Sequence, residues 1–212
     1  MGDVISLAEA RVARAQGHAA PPRAGGGRTP RITFYFDLSS PFTYLAAERV
    51  DRLFGNLVWR PVLEEILQAR APEPAVAEER AHALGLPLVW PEMGPESVRP
   101  AMRVAALAAE QGRAAPFVLA ASRLAFCGGF ELDHPEVLAE AAAAANLGLE
   151  ECLHAAGDVA RDGAMEASAR KLLAHGADRL PAVRVGRLLF AGEDRVAEAA
   201  AAAALPAAMR AV

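Results

Sequence analysis

A hydroxyl followed by proline, set where an apolar run ends and a helical pattern begins, is the first place in this sequence where chemistry can be sought. Residues 34–45 read FYFDLSSPFTYL. Ser40 would stand at a helix start, where backbone N–H groups without intrahelical partners and the helix dipole favour negative charge. Pro41 suits the first helical position because it has no N–H to lose. Two readings of Ser40 follow: an ordinary N-cap accepting a hydrogen bond from the first turn, or a donor to an anionic ligand atom. A second candidate group lies far along the chain. Leu180-Pro181 immediately precedes a two-strand pattern, and Gly192-Glu193-Asp194-Arg195 follows it. There Asp194 reads equally as the cap of a last helix or as a ligand carboxylate.

The elements that must position these groups follow from periodicity and punctuation. ITFYF is aromatic and β-branched, short enough for a buried strand ending near Asp37. Phe42, Leu45, Ala46, Leu53 and Phe54 fall near helical spacing before Gly55, and NLVWRPV reads as a second strand, parallel to the first. The middle is helical: one helix starting at Ser97 and Pro100, then APFVLAASRLAF, an Asp133-capped HPEVLAEAAAAA, LEECLHAA and GAMEASARKLLAHG. AVRVGRLLFA predicts a hairpin, with a helix from about Asp194 onward. The order β-α-β, helices, β-β-α is that of an α/β, thioredoxin-like fold with an inserted all-helical subdomain. Residues 31–63 and 176–212 would form the core and 64–175 the insertion. Residues 1–30, a Ser6-capped patch followed by a Pro/Gly linker, read as a flexible N-terminal extension.

Composition excludes several functions. A chain of 212 residues, 53% hydrophobic, can bury a core, and a net charge of -4 does not suit nucleic-acid phosphates. No run approaches the roughly 18 apolar residues of a membrane span, and the N-terminus lacks a signal-peptide core, so the expectation is a cytoplasmic protein that engages no membrane. Cys127 and Cys152 form no CxxC, and the five histidines show no ligand spacing, so no metal is expected. Glu64-Glu65 and Glu78-Glu79 read as solvated helix faces, because adjacent residues on a helix do not face each other. Trp59 and Trp90 read as core or cleft-wall residues.

Taken together and in order, SSPFTYLA, GLPLVWP, DHPEVLAEAAAAANL and LPAVRVGRLLFAGEDRV resemble a known family. It is the 2-hydroxychromene-2-carboxylate isomerase and kappa-class glutathione transferase group of the DsbA-like thioredoxin superfamily. The resemblance implies a bound cofactor, glutathione or another low-molecular-weight thiol. It makes Ser40 the catalytic hydroxyl on the thiol sulfur, with Pro41, Phe42 and Thr43 beside it in the substrate cleft. It gives Leu180, before a cis Pro181, the pairing with the cysteinyl backbone, and Asp194, with Gly192 and Arg195, the γ-glutamyl end. The implied partner is a small conjugated or aromatic substrate, and the family's habit makes a homodimer the expected assembly.

The energetics of such a site are feasible. Lowering a thiol pKa by about two units takes roughly 2.7 kcal/mol. A hydroxyl hydrogen bond to a charged group contributes about 1.5–3 kcal/mol. The alternative is a catalytically silent binding protein whose serine only caps a helix. DsbA-type dithiol chemistry is the less favoured, since serine at 40 and threonine at 43 cannot form a disulfide. The chain departs from the family at Glu64 and Glu65, where neutral residues are expected, and at GADRLP, which brings Asp178 and Arg179 to the expected pocket rim.

Overall fold

A computed structural model describes residues 31–67, 73–92 and 94–205; the N-terminal extension, 1–30, lies outside the described residues. Strand β1 (Ile32–Phe36) is buried along its whole length. It pairs in parallel with β2 (Leu57–Pro61) and antiparallel with β3 (Ala182–Val185), which forms a hairpin with β4 (Leu188–Ala191). The sheet order is β2-β1-β3-β4. The first and third strands are therefore neighbours at the sheet's centre, though 145 or more residues apart in sequence.

Side chains alternate across a strand, so the sheet has two unlike faces. One presents Phe34, Phe36, Trp59, Val183 and Val185 to the main core. There the Trp59 ring meets Phe34 edge-on at 4.8 Å and Phe36 at 5.9 Å, geometries that suit aromatic quadrupoles. Helix α1 (Pro41–Leu53) buries Tyr44, Leu45 and Val50 in the same core.

Between β2 and β3 the described elements are all helical. A 3-10 turn, Glu64–Leu67, is followed by α2 (Pro74–Leu84), α3 (Pro95–Glu110), α4 (Ala114–Phe126), α5 (Pro135–Ala144), α6 (Leu149–Gly157) and α7 (Ala160–Ala174). Phe117, Phe126 and Met102 of these helices share one apolar cluster with Phe34 and Phe36, so helices and sheet share one continuous core. Tyr44 fastens the segment after α2 by donating to the Pro87 carbonyl at 3.0 Å, and its ring stacks on Phe126 at 6.0 Å. A 3-10 turn, Glu193–Arg195, leads into the last described helix, α8 (Val196–Ala204).

Several boundaries differ from the sequence reading for local reasons. Helix α3 starts at Pro95, not Ser97, because proline is well placed in a first turn, and Pro100 lies inside it. His134, not Asp133, holds the N-cap position of α5, and Pro135 again leads. Helix α2 carries too little apolar periodicity to be visible in the pattern. Its punctuation was nonetheless present: Pro74 at the start and Gly85 at the end, where φ of +66° is left-handed.

Candidate functional site

The turn between β1 and α1 is built around a buried carboxylate. Asp37, 6% exposed, accepts the Ser39 backbone N–H and the Ser39 hydroxyl, both at 2.9 Å on Oδ1, and the Glu64 N–H at 2.8 Å on Oδ2. One side chain thus joins the exit of β1 to the exit of β2. Thr43, fully buried one turn into α1, accepts the Asp37 N–H at 3.4 Å. Burial raises the Asp37 pKa above the usual carboxylate value, and the donors from Glu64 and Ser39 pull it back down.

Ser40 holds the N-cap position with an extended backbone (φ −92°, ψ 121°), yet its side chain makes no capping hydrogen bond. Its Oγ is buried without a hydrogen-bond partner, the residue being 1% exposed. A cap serine exists to satisfy a first-turn N–H, and this one does not. An unpaired buried hydroxyl costs free energy. Pro41 follows as the first residue of α1, also buried.

A cavity of about 530 Å³ opens beside this turn. Phe42, Val76 and Leu180 form its apolar wall, while Glu64, Gly192 and Asp194 are among its polar groups. The Leu180–Pro181 peptide is cis, and the Pro181 carbonyl accepts the Gly192 N–H at 2.8 Å. That bond closes the base of the β3–β4 hairpin and sets Gly192 beside the cis proline. Gly192 has φ of +107°, a backbone conformation that favours glycine, and a Cβ there would push aside the exposed Asp194 and Arg179 side chains. Asp194, 64% exposed, lies 3.6 Å from Arg179 on the rim.

Of the residues singled out from sequence, Phe42, Leu180, Gly192 and Asp194 share the cavity wall. Ser40 and Thr43 lie buried in the adjoining turn and α1, off that wall. Arg195 is engaged elsewhere: it donates to Glu198 at 2.8 Å and stacks over the Phe190 ring at 5.1 Å.

Two groups escaped sequence reasoning. Glu193, with a side chain 2% exposed, is held between Arg49 and Arg80, the latter at 2.6 Å. The motif directed attention to its neighbour Asp194 instead. Glu64 and Glu65, read as one solvated face, have separate fates. Glu65 pairs with Arg99 on the surface. Glu64 enters the cavity, where its carboxylate accepts the Leu180 N–H. Burial first, and the Asp37 charge second, push the Glu64 pKa up to about 7. Its place just past β2, where the resemblance leads one to expect a neutral residue, was the available signal. Elsewhere, Glu131, Asp133 and His134 bring ligand atoms within 4.8 Å of one another at an exposed turn.

Residues 31–204 match the family model described as the DSBA-like thioredoxin domain. No match was found among curated proteins. Among solved structures, a 2-hydroxychromene-2-carboxylate isomerase superposes with a TM-score of 0.67 at 21% identity, over 81% of this chain and 93% of that one. A probable DsbA oxidoreductase from Streptomyces coelicolor superposes with a TM-score of 0.62 at 20% identity, over 82% of this chain and 88% of that one. These likenesses identify the fold as thioredoxin-like. No helix among the described residues is long and apolar enough to cross a membrane.

Two measurements probe the carboxylate pair. A folded-state pKa near 7, above the ordinary value of 4.5, means that the native state holds the proton longer than the unfolded chain. Stability therefore falls as pH rises from about 4.5 to 7. Glu64→Gln flattens that fall, leaving the Asp37 contribution, and is more stable than the parent above pH 7 by on the order of 1–3 kcal/mol in urea unfolding. Asp37→Ala strands the Glu64 and Ser39 donors and lowers stability at pH 7 by about 2–4 kcal/mol.

Proposed function

Because the chain belongs to the DSBA-like thioredoxin family, we propose that it is a thiol-dependent isomerase or transferase, with glutathione or another low-molecular-weight thiol bound beside Ser40. The observation that carries this reading is the Ser40 hydroxyl: buried, unpartnered and at the N-terminus of α1, but capping nothing. A sulfur brought to that hydroxyl would supply the missing partner, and the helix end would favour its anion. The hydroxyl is covered in the free protein, so ligand entry has to uncover it.

The rest of the cavity suits such a ligand. Leu180 offers its backbone to an extended peptide-like chain. Asp194 on the rim faces the ligand's amino end, and the half-exposed Arg179 beside it can meet a carboxylate. Phe42 and Val76 supply apolar surface for a conjugated or aromatic substrate. In isomerase chemistry the thiolate adds reversibly to the conjugated substrate, permits rotation about the former double bond and leaves unchanged. In transferase chemistry it attacks an electrophile and stays attached. Dithiol exchange is disfavoured, because residues 40 and 43 carry hydroxyls and the free cysteines lie elsewhere, Cys127 just past α4 and Cys152 on α6.

One observation favours a second reading, a catalytically silent binding protein. The Glu64 carboxylate already takes the Leu180 N–H, the donor that a ligand backbone would use. A ligand must displace it, and displacement is easier once the carboxyl is protonated or removed.

Thermal unfolding with glutathione separates the readings. At about 100 times its Kd the ligand raises Tm by roughly 5–10 °C. Ser40→Ala and Asp194→Ala each reduce that rise, and Glu64→Ala enlarges it. Ser40→Ala without ligand is at least as stable as the parent, in contrast to the loss of about 1 kcal/mol that removing a working cap causes. No shift in either the parent or Glu64→Ala, with glutathione or with smaller thiols, would leave the silent reading standing.

A further inference from the structure

The face of the sheet turned away from the main core carries a second feature, independent of the thiol reading. Alternation along β1 places Thr33 and Tyr35 on this face, with Arg31 in line just before the strand. The register sets Arg184 of β3 opposite Thr33 and Arg60 of β2 opposite Tyr35. Helix α7 covers part of the face through Leu172, and between its last turns and the strands runs a groove of about 200 Å³. Lys171, the one lysine in the chain, adds a fourth cation, and His175 completes the groove's lining.

Among the described residues, no carboxylate lines this groove. Many arginines elsewhere are matched, Arg49 and Arg80 with Glu193, Arg99 and Arg103 with Asp162, Arg123 with Glu48, whereas Arg52, Arg113 and Arg187 stand exposed without an ion pair among the described residues. Among the described residues, Arg31, Arg60, Arg184 and Lys171 form no ion pair. Lys171 and His175 sit at the C-terminal end of α7 and by themselves would be ordinary complements to its dipole. Arg60 and Arg184 come from strands, Arg31 directly precedes β1, and none serves a helix end. Arg60 and Arg184 flank β1 from β2 and β3, two strand spacings or about 10 Å apart, on one face of the sheet. A protein with a net charge of -4 has thus gathered unpaired cations over a floor of hydroxyls.

We propose that this groove binds the phosphate group of a small phosphorylated molecule, with a diphosphate the best match. Arg31, Arg60, Arg184 and Lys171 would meet several negative charges, which a single carboxylate cannot supply. Arginine forks pair with phosphate oxygens in two-point contacts, and the Thr33 and Tyr35 hydroxyls can donate to the remaining ones. The groove's volume holds the phosphate group, leaving the rest of the molecule in solvent.

The test uses the full chain at fixed ionic strength with inorganic pyrophosphate as probe. At about 100 times Kd, pyrophosphate is expected to raise Tm by roughly 5–10 °C. At about ten times Kd it slows amine acetylation of Lys171, followed by peptide mass spectrometry, about ten-fold. The Arg60→Gln/Arg184→Gln double variant should lose both effects while its unliganded Tm stays level or rises, since like charges have been removed. An undiminished response in that variant, or an equal response to sodium chloride of the same ionic strength, overturns the proposal. Should the variant not fold, the parent decides: Lys171 acetylated equally fast with and without pyrophosphate overturns the site, and its protection supports it.

Discussion

The carboxylate of Asp37 is the constraint on which the rest of this site depends. It sits at the end of the central strand, out of water, and its oxygens are committed to donors from Ser39 and Glu64. A buried charge is tolerable only when hydrogen-bonded so. Those bonds fix the turn that delivers Ser40 to the head of α1 and fix the exit of β2 that delivers Glu64 to the cavity. Because Glu64 then faces the Asp37 charge in a poorly solvated place, it holds its proton up to about pH 7. The tie that builds the cleft therefore also perturbs the group within it.

Charge is balanced differently on the cavity's far side. Glu193 is buried but neutralised by Arg49 and Arg80, which join α1 and α2 to the loop after β4. Removing one partner of such a cluster leaves uncompensated buried charge, so this loop is held firmly. Asp194, the next residue, stays on the exposed rim with Arg179. Adjacent carboxylates thus divide the work, one anchoring the loop and the other facing the solvent side of the cleft.

The two faces of the sheet repeat that division. The face under α1 is closed by aromatic packing, and the opposite face keeps arginines over Thr33 and Tyr35. The floor of the groove, Tyr35 with Leu172, belongs to the same small cluster as Leu180 on the cavity wall.

Much of the architecture was legible without coordinates, because it depends on local rules. The apolar β-branched run at 32–36, proline at 41, glycine at 55 and the VGR turn act on their own neighbours, and the strands, α1 and the hairpin appear where those residues place them. Helix α2 was missed because its residues lack a sided pattern. The likeness of SSPFTYLA and GEDRV to a family also brought Ser40, Leu180, Gly192 and Asp194 together before any contact was known. What the residues could not disclose is where each side chain ends up relative to water. Ser40 reads identically as a cap or a ligand donor until its hydroxyl is seen to cap nothing. Glu64 and Glu65 are the same residue type, side by side, and only packing sends one into the cavity and the other to Arg99. Propensity and periodicity act over a few residues, whereas burial, pKa and partnership are set by atoms tens of positions away or more, and those only the tertiary structure decides.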